Sequence, residues 1–183
     1  MKVFGKIGLI LCLLVTTSFA PVQLQNNTPA KIKATFLYNF TRFIEWPESY
    51  QKGPFFIGIL GETPLYGELI AMQNNFESRG KDFATKGNQP FAINKYLSPK
   101  SIGKCHMIYI AKSSSHQIDD VLEITKGFKT LIITENPGLI EKGSGINFVV
   151  NNNKLGFELN KSSVTGKGLS LSSSFLQFAY RVI

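Results

Sequence analysis

The stretch Lys33-Ala-Thr-Phe-Leu-Tyr-Asn-Phe-Thr-Arg-Phe-Ile-Glu-Trp-Pro-Glu48 decides how the chain is read. At 100° per residue, Ile32, Phe36, Leu37, Phe40, Phe43 and Ile44 fall in an apolar stripe about 140° wide, which predicts an amphipathic helix. Thr28-Pro29 supplies a cap and a first-turn proline upstream. Pro47 disfavours helical geometry at Trp46 and is expected to close the element. Tyr38, Arg42 and Trp46 lie off the stripe and are candidate partner-binding residues, because aromatic and arginine side chains bury large area while keeping a polar handle. The competing reading is that another element of the same domain covers that face.

Downstream, Pro54-Phe-Phe-Ile-Gly-Ile-Leu-Gly61 is a short apolar run suited to a buried strand. A helix follows it, with Thr63 as cap, Pro64 at its first position and Leu65, Leu69, Met72 and Phe76 on one face. Strands are expected in residues 91–97, 105–112 and 130–135, and a helix in 114–127 with Asp119 and Asp120 at its positive end. Two alternating strands flank Asn151-Asn152-Asn153, a hairpin signal. Leu171, Phe175, Phe178, Ala179 and Val182 then recur at helical spacing, predicting a docked closing helix. The fold class is therefore α/β: one layered domain with a mixed β-sheet flanked by helices, a C-terminal β-hairpin and a terminal helix.

Upstream, residues 1–20 have the form of an export signal, with Lys2 and Lys6, an apolar run from Ile7 to Val15, and Ser18-Phe19-Ala20 at a cleavage point. The run is shorter than the roughly 20 apolar residues of a membrane span, so no transmembrane anchor is expected after cleavage. Leu9-Ile10-Leu11-Cys12 has some likeness to a lipoprotein box, but the strongly apolar residues after Cys12 favour a plain cleaved signal. The expected organisation is a signal peptide over 1–20, a mobile segment over 21–30 and one domain over 31–183. Such a protein is periplasmic.

The 183 residues carry 20 Lys and Arg against 12 Asp and Glu, a formal net charge of +8. The lysines are scattered and no Arg-rich block or aromatic-interleaved basic helix occurs, which argues against nucleic acid. Apart from Cys12, Cys105 is the only thiol, so no internal disulfide is expected once the leader is gone.

Catalytic and metal motifs are not recognisable. His106 follows Cys105, but neighbours on a strand point to opposite faces and are poorly placed as base and nucleophile. Gly138 and Gly143 have the glycine spacing of a phosphate loop, yet Ser144 stands where its lysine belongs. Neither a G-x-S-x-G elbow nor a local zinc or calcium pattern is present. Neither catalytic residues, metal nor cofactor are expected. The loop containing Gly61 and Thr63 is a candidate ligand loop, since the strand ends of α/β sheets are common binding places.

Taken in order, the opening helix with its Trp-Pro corner, "FIGILGETPL", the Cys105-His106 pair opening "CHMIYIAK", "TLIITE", "GSGINFV", "GFELN" and "GLSLSSSFLQFA" resemble the YfiR family of small periplasmic regulators. The resemblance implies a noncatalytic exported protein, often a homodimer. It also implies binding to the periplasmic domain of an inner-membrane signalling protein, such as a diguanylate cyclase of cyclic-di-GMP signalling or a sensor kinase. Disulfides occur in that family, whereas Cys105 here has no mature partner. The alternative function is a periplasmic small-ligand sensor or carrier.

If the leader is removed as read, intact-mass measurement of the exported protein will place its N-terminus close to Pro21. A full-length mass, or a lipid adduct on Cys12, contradicts that reading.

Overall fold

The computed structural model describes residues 28–79 and 89–183; the signal peptide over 1–20 and most of the segment 21–30 lie outside the described residues. Helix α1 (Pro29–Phe43) begins where capping dictates: the Thr28 hydroxyl accepts from the Lys31 N–H at 3.2 Å, with Pro29 in the first turn. The chain then runs through β1 (Ile44–Glu45), β2 (Phe55–Leu60), α2 (Leu65–Arg79), β3 (Phe91–Tyr96), β4 (Met107–Ile110), α3 (Ile118–Ile124) and β5 (Leu131–Thr134). It continues through β6 (Ile146–Asn151), β7 (Lys154–Leu159), α4 (Lys161–Gly166), β8 (Ser170–Leu171), α5 (Ser173–Leu176) and β9 (Arg181–Val182).

Among the described residues, the main sheet has seven strands in the order β3-β2-β4-β5-β6-β7-β9, and β1 and β8 form a separate antiparallel pair. From β3 to β6 all neighbours are parallel; β7 returns antiparallel to β6, and β9 is parallel to β7. The reversal between β6 and β7 is a tight turn with Asn152 and Asn153 at φ 47° and 59°. Asparagine tolerates that left-handed geometry, and two such residues match the twist of a hairpin.

Period-two alternation divides the core between the two faces of the sheet. Ile57, Ile59, Met107, Tyr109, Leu131 and Ile133 share one apolar cluster with α1, α2 and Phe175. Leu60, Ile108, Ile110 and Ile132 join the other with Ile118 and Val121 of α3. The result is the layered α/β architecture with a mixed sheet that the sequence pattern implies.

Three local expectations are corrected. Helix α1 ends at Phe43, ahead of the Trp46-Pro47 corner, because Ile44 is already extended at φ −110° and pairs with Leu171. Trp46 is buried, not on an outward face: its ring sits edge-on to Phe55 at 4.9 Å, and its indole N–H donates to the carbonyls of Lys129 at 3.0 Å and His106 at 3.3 Å. The closing helix shrinks to the single turn α5. Phe178 and Val182, placed on its apolar face by spacing, are exposed, because the chain leaves the helix to pair β9 with β7.

His106 joins β2, β4 and the turn after α1. Its Nδ1 accepts from the Phe56 N–H at 3.0 Å, so Nε2 carries the proton and donates to the Tyr50 carbonyl at 2.7 Å. The ring stacks on Phe55 at 4.2 Å. Burial holds the imidazole below its ordinary range, the Tyr50 bond opposes this, and the Lys104 charge adds to it.

Two outcomes follow from this packing. Phe40→Ala should lower stability by about 3–5 kcal/mol in denaturant melts, since the ring is 1% exposed and packed against the rings of Phe36, Phe148, Phe157 and Phe175. The second concerns acid. A histidine whose folded pKa is depressed contributes stability above its unfolded pKa of about 6.5 and loses it as pH falls through the folded value. Melting temperature should therefore decline below about pH 6.5, and His106→Gln should flatten that part of the profile while lowering overall stability. An unchanged acid slope in a folded His106→Gln protein would remove His106 from the account.

Candidate functional site

Between α1, β7 and the segment after α5 lies an open groove of about 720 Å³. Helix α1 presents Phe36, Phe40 and Phe43 to it from the stripe that also packs the core, and adds Asn39 and Arg42 at the rim. Strand β7 contributes Leu155, Gly156 and Phe157; Phe175, Phe178 and Tyr180 form the opposite wall. The rings are close: Phe40 to Phe157 at 5.2 Å, Phe43 to Phe178 at 5.5 Å and Phe157 to Phe175 at 5.3 Å. Its volume falls within the range of small-molecule pockets, and its aromatic lining with a guanidinium at the rim is also the composition of a protein-binding hot spot.

Sequence reasoning reached Arg42, which is exposed and borders this groove. The structure does not bring Tyr38 and Trp46 to it. Tyr38 is half-buried against Phe76 of α2 at 5.2 Å and Phe91 of β3 at 6.0 Å, so α2 covers that side of α1. Trp46 is in the core. The far wall was missed because spacing put Phe178 on a helix and left Tyr180 unassigned. A signal was present in Gly156, an isolated glycine in a strand pattern, which marks a close approach. A Cβ there would lie 2.2 Å from the Tyr180 ring.

Gly61 and Thr63 stand elsewhere, at the C-terminal end of β2, where the chain order reverses between β2 and β4. Gly61 has φ 89°, and a Cβ at this position would be 2.2 Å from the Ser114 hydroxyl. The Thr63 hydroxyl accepts from the Leu65 N–H at 3.3 Å, acting as the helix cap. This crevice is occupied by a polar cluster of the chain itself. Lys33 of α1 is ion-paired with Glu135, the Tyr109 phenol donates to Glu135 at 2.5 Å, and the Lys112 N–H donates to Glu135 at 3.2 Å. Burial works against the Glu135 charge, but the bonds from Lys33 and Tyr109 and the Lys33 charge hold its carboxyl below the usual range. Burial, followed by the bond and charge of Glu135, pushes the Tyr109 phenol up. The cluster pins α1 to β4 and β5.

Cys105 and His106 diverge as strand geometry requires: Cys105 belongs to the α3-side cluster, whereas His106 stacks on Phe55. Burial pushes the Cys105 thiol up to about 12, so it is a poor nucleophile. Among the described residues no group of three His, Cys, Asp or Glu is placed to hold a metal ion, and no helix is long and apolar enough to cross a membrane.

Among solved structures, the chain is similar to the ABC domain in complex with L-Trp from Streptococcus pneumonia, at 14% identity and a TM-score of 0.51 over 85% of this chain and 60% of that one. A conserved domain protein from Vibrio cholerae O1 biovar El Tor aligns at 11% identity and a TM-score of 0.48, again over 85% of this chain and 60% of the other. The chain thus spans about 60% of the length of each, and the first likeness bears on fold alone. No curated protein matches it. The family comparison is direct: residues 30–180, from the first turn of α1 to the strand-forming tail, match the YfiR/HmsC-like family, and the chain belongs to it.

Proposed function

We propose that this protein is an exported, noncatalytic regulatory binding protein that controls an inner-membrane signalling protein, such as a diguanylate cyclase or sensor kinase, through that partner's periplasmic domain. The observation that carries this reading is the family match over residues 30–180. The open aromatic groove supports it. Ring edges and faces left uncovered beside a guanidinium lose more exposed apolar area on binding a protein surface than scattered surface residues do. A periplasmic location and a homodimeric state belong to the same reading.

A small-ligand sensor or carrier is the second reading, and the groove's volume of about 720 Å³ favours it. The two are compatible, since a ligand seated on Phe36, Phe43 and Phe178 would change the surface offered to a partner. The crevice at Gly61 and Thr63 is the weaker ligand site, because Lys33 and Glu135 already satisfy one another there.

Used as bait on detergent-solubilised membranes, the mature protein should retain a membrane protein with a periplasmic sensor domain. Arg42→Ala and Phe178→Ala should each weaken that retention about tenfold or more while shifting stability by no more than about 0.5 kcal/mol. Deleting the gene should change the activity of the captured protein, read as cellular cyclic-di-GMP if it is a diguanylate cyclase. Capture unaffected by both substitutions would separate the groove from regulation, and no change in the captured protein's activity on deletion would end the regulatory reading.

A further inference from the structure

The tail from Phe178 to Ile183 lies along one edge of the main sheet with little apolar burial. Phe178, Tyr180, Val182 and Ile183 remain 58, 47, 42 and 42% exposed. Its backbone is paired: the Tyr180 N–H donates to the Phe157 carbonyl at 2.8 Å, the Ile183 N–H to that of Leu159 at 2.9 Å, and the Ile183 carbonyl accepts from the Lys161 N–H at 2.8 Å. The Tyr180 ring lies against Gly156, which has no Cβ to hinder it. Arg181 donates through Nε to Glu158 at 2.8 Å and through Nη2 to Glu141 at 2.6 Å. Solvent reaches the Arg181 and Glu141 side chains of these pairs, and surface ion pairs add little to stability. A strand with few buried apolar contacts opens well below the cost of global unfolding.

We infer that this tail is an exchangeable strand, and that the β7 edge beneath it docks an extended segment of the regulated partner with the same aromatic-basic-aliphatic order as Tyr180-Arg181-Val182. The tail is the template for what the edge accepts. Gly156 leaves room for a flat ring, Glu158 and Glu141 receive a guanidinium, and the carbonyls of Phe157 and Leu159 take the N–H groups of any strand laid parallel to β7. Main-chain bonds supply affinity in such strand addition, and side-chain pockets supply selectivity. Two carboxylates flanking the track favour a positive residue at its centre and disfavour an acidic one. Phe178 and Tyr180 also form a wall of the aromatic groove, so exchanging the tail remodels that groove. The identity of the occupant rests on the regulatory reading; the exchangeable edge does not.

The test uses the full chain with a fluorescent peptide of residues 177–183 as probe. In hydrogen exchange, the amides of Tyr180 and Ile183 should exchange about a hundredfold faster than those of β4 and β5. The peptide should bind saturably, and about tenfold more tightly to Arg181→Ala, in which the tethered competitor is weakened and neither Glu141 nor Glu158 holds the tail's guanidinium. A peptide with glutamate in place of its arginine should not bind. The inference is overturned if a normally melting Arg181→Ala protein fails to bind the peptide, or if the tail amides exchange only with global unfolding. Self-association of the unmodified protein that is altered by Arg181→Ala would assign the edge to a second copy and overturn the partner assignment. Peptide binding without capture of any membrane protein would uphold the edge and count against the regulatory reading alone.

Discussion

Burial of the α1 aromatic stripe against the antiparallel end of the sheet is the constraint on which the rest of this structure depends. Phe40 is enclosed by Phe148, Phe157 and Phe175, so one helix, both arms of the hairpin and the α5 turn must come together to remove a single ring from water. Phe36 and Phe43 flank it and are only half-buried. The core and the groove are therefore one aromatic layer, closed where the chain covers it and open where it does not. A binding surface made this way is preorganised, because the rings that would meet a partner are held by rings that cannot move without opening the core.

Two polar clusters set the edges of that layer. Lys33, Tyr109 and Glu135 fasten the start of α1 to the ends of β4 and β5, filling the crevice where α/β sheets commonly bind ligands. At the other side, Thr134 donates to Asn147 at 2.8 Å, and Asn147 reaches Glu158 at 3.3 Å, which in turn holds Arg181. The first cluster is half-buried and internally satisfied. The second runs from the buried β5-β6 junction to a surface strand, so the last residues of the described chain are wired to the sheet through side chains while offering little apolar burial of their own. The usual crevice is thereby filled by the chain's own side chains, whereas the aromatic groove beside the hairpin is left open.

Much of the architecture was legible in the amino-acid order because it follows from local rules. Thr28-Pro29 is a local signal for a helix start, Asn152-Asn153 accepts positive φ, and the continuous apolar runs of β4 and β5 suit strands covered on both faces. These features depend on neighbours within a few residues, and the structure places them where the pattern did. Arg42 was likewise separable from the apolar stripe by helical phase alone.

What only the tertiary structure decided are the matters that depend on residues far apart in the chain. Ile44 leaves the helix because Leu171 pairs with it, Tyr38 is covered because α2 returns beside α1, and Trp46 is buried because the carbonyls of His106 and Lys129 meet its indole. Phe175 to Val182 carry a helical period, yet hydrogen bonding to the edge of β7 outweighs it after one turn, since that edge and the backbone of the tail satisfy each other more fully than an exposed helix end can. Periodicity reports which side chains seek burial. It carries no information on which distant backbone will be left unpaired, and in this protein that unpaired edge, along β7, determined both the path of the tail and the far wall of the groove.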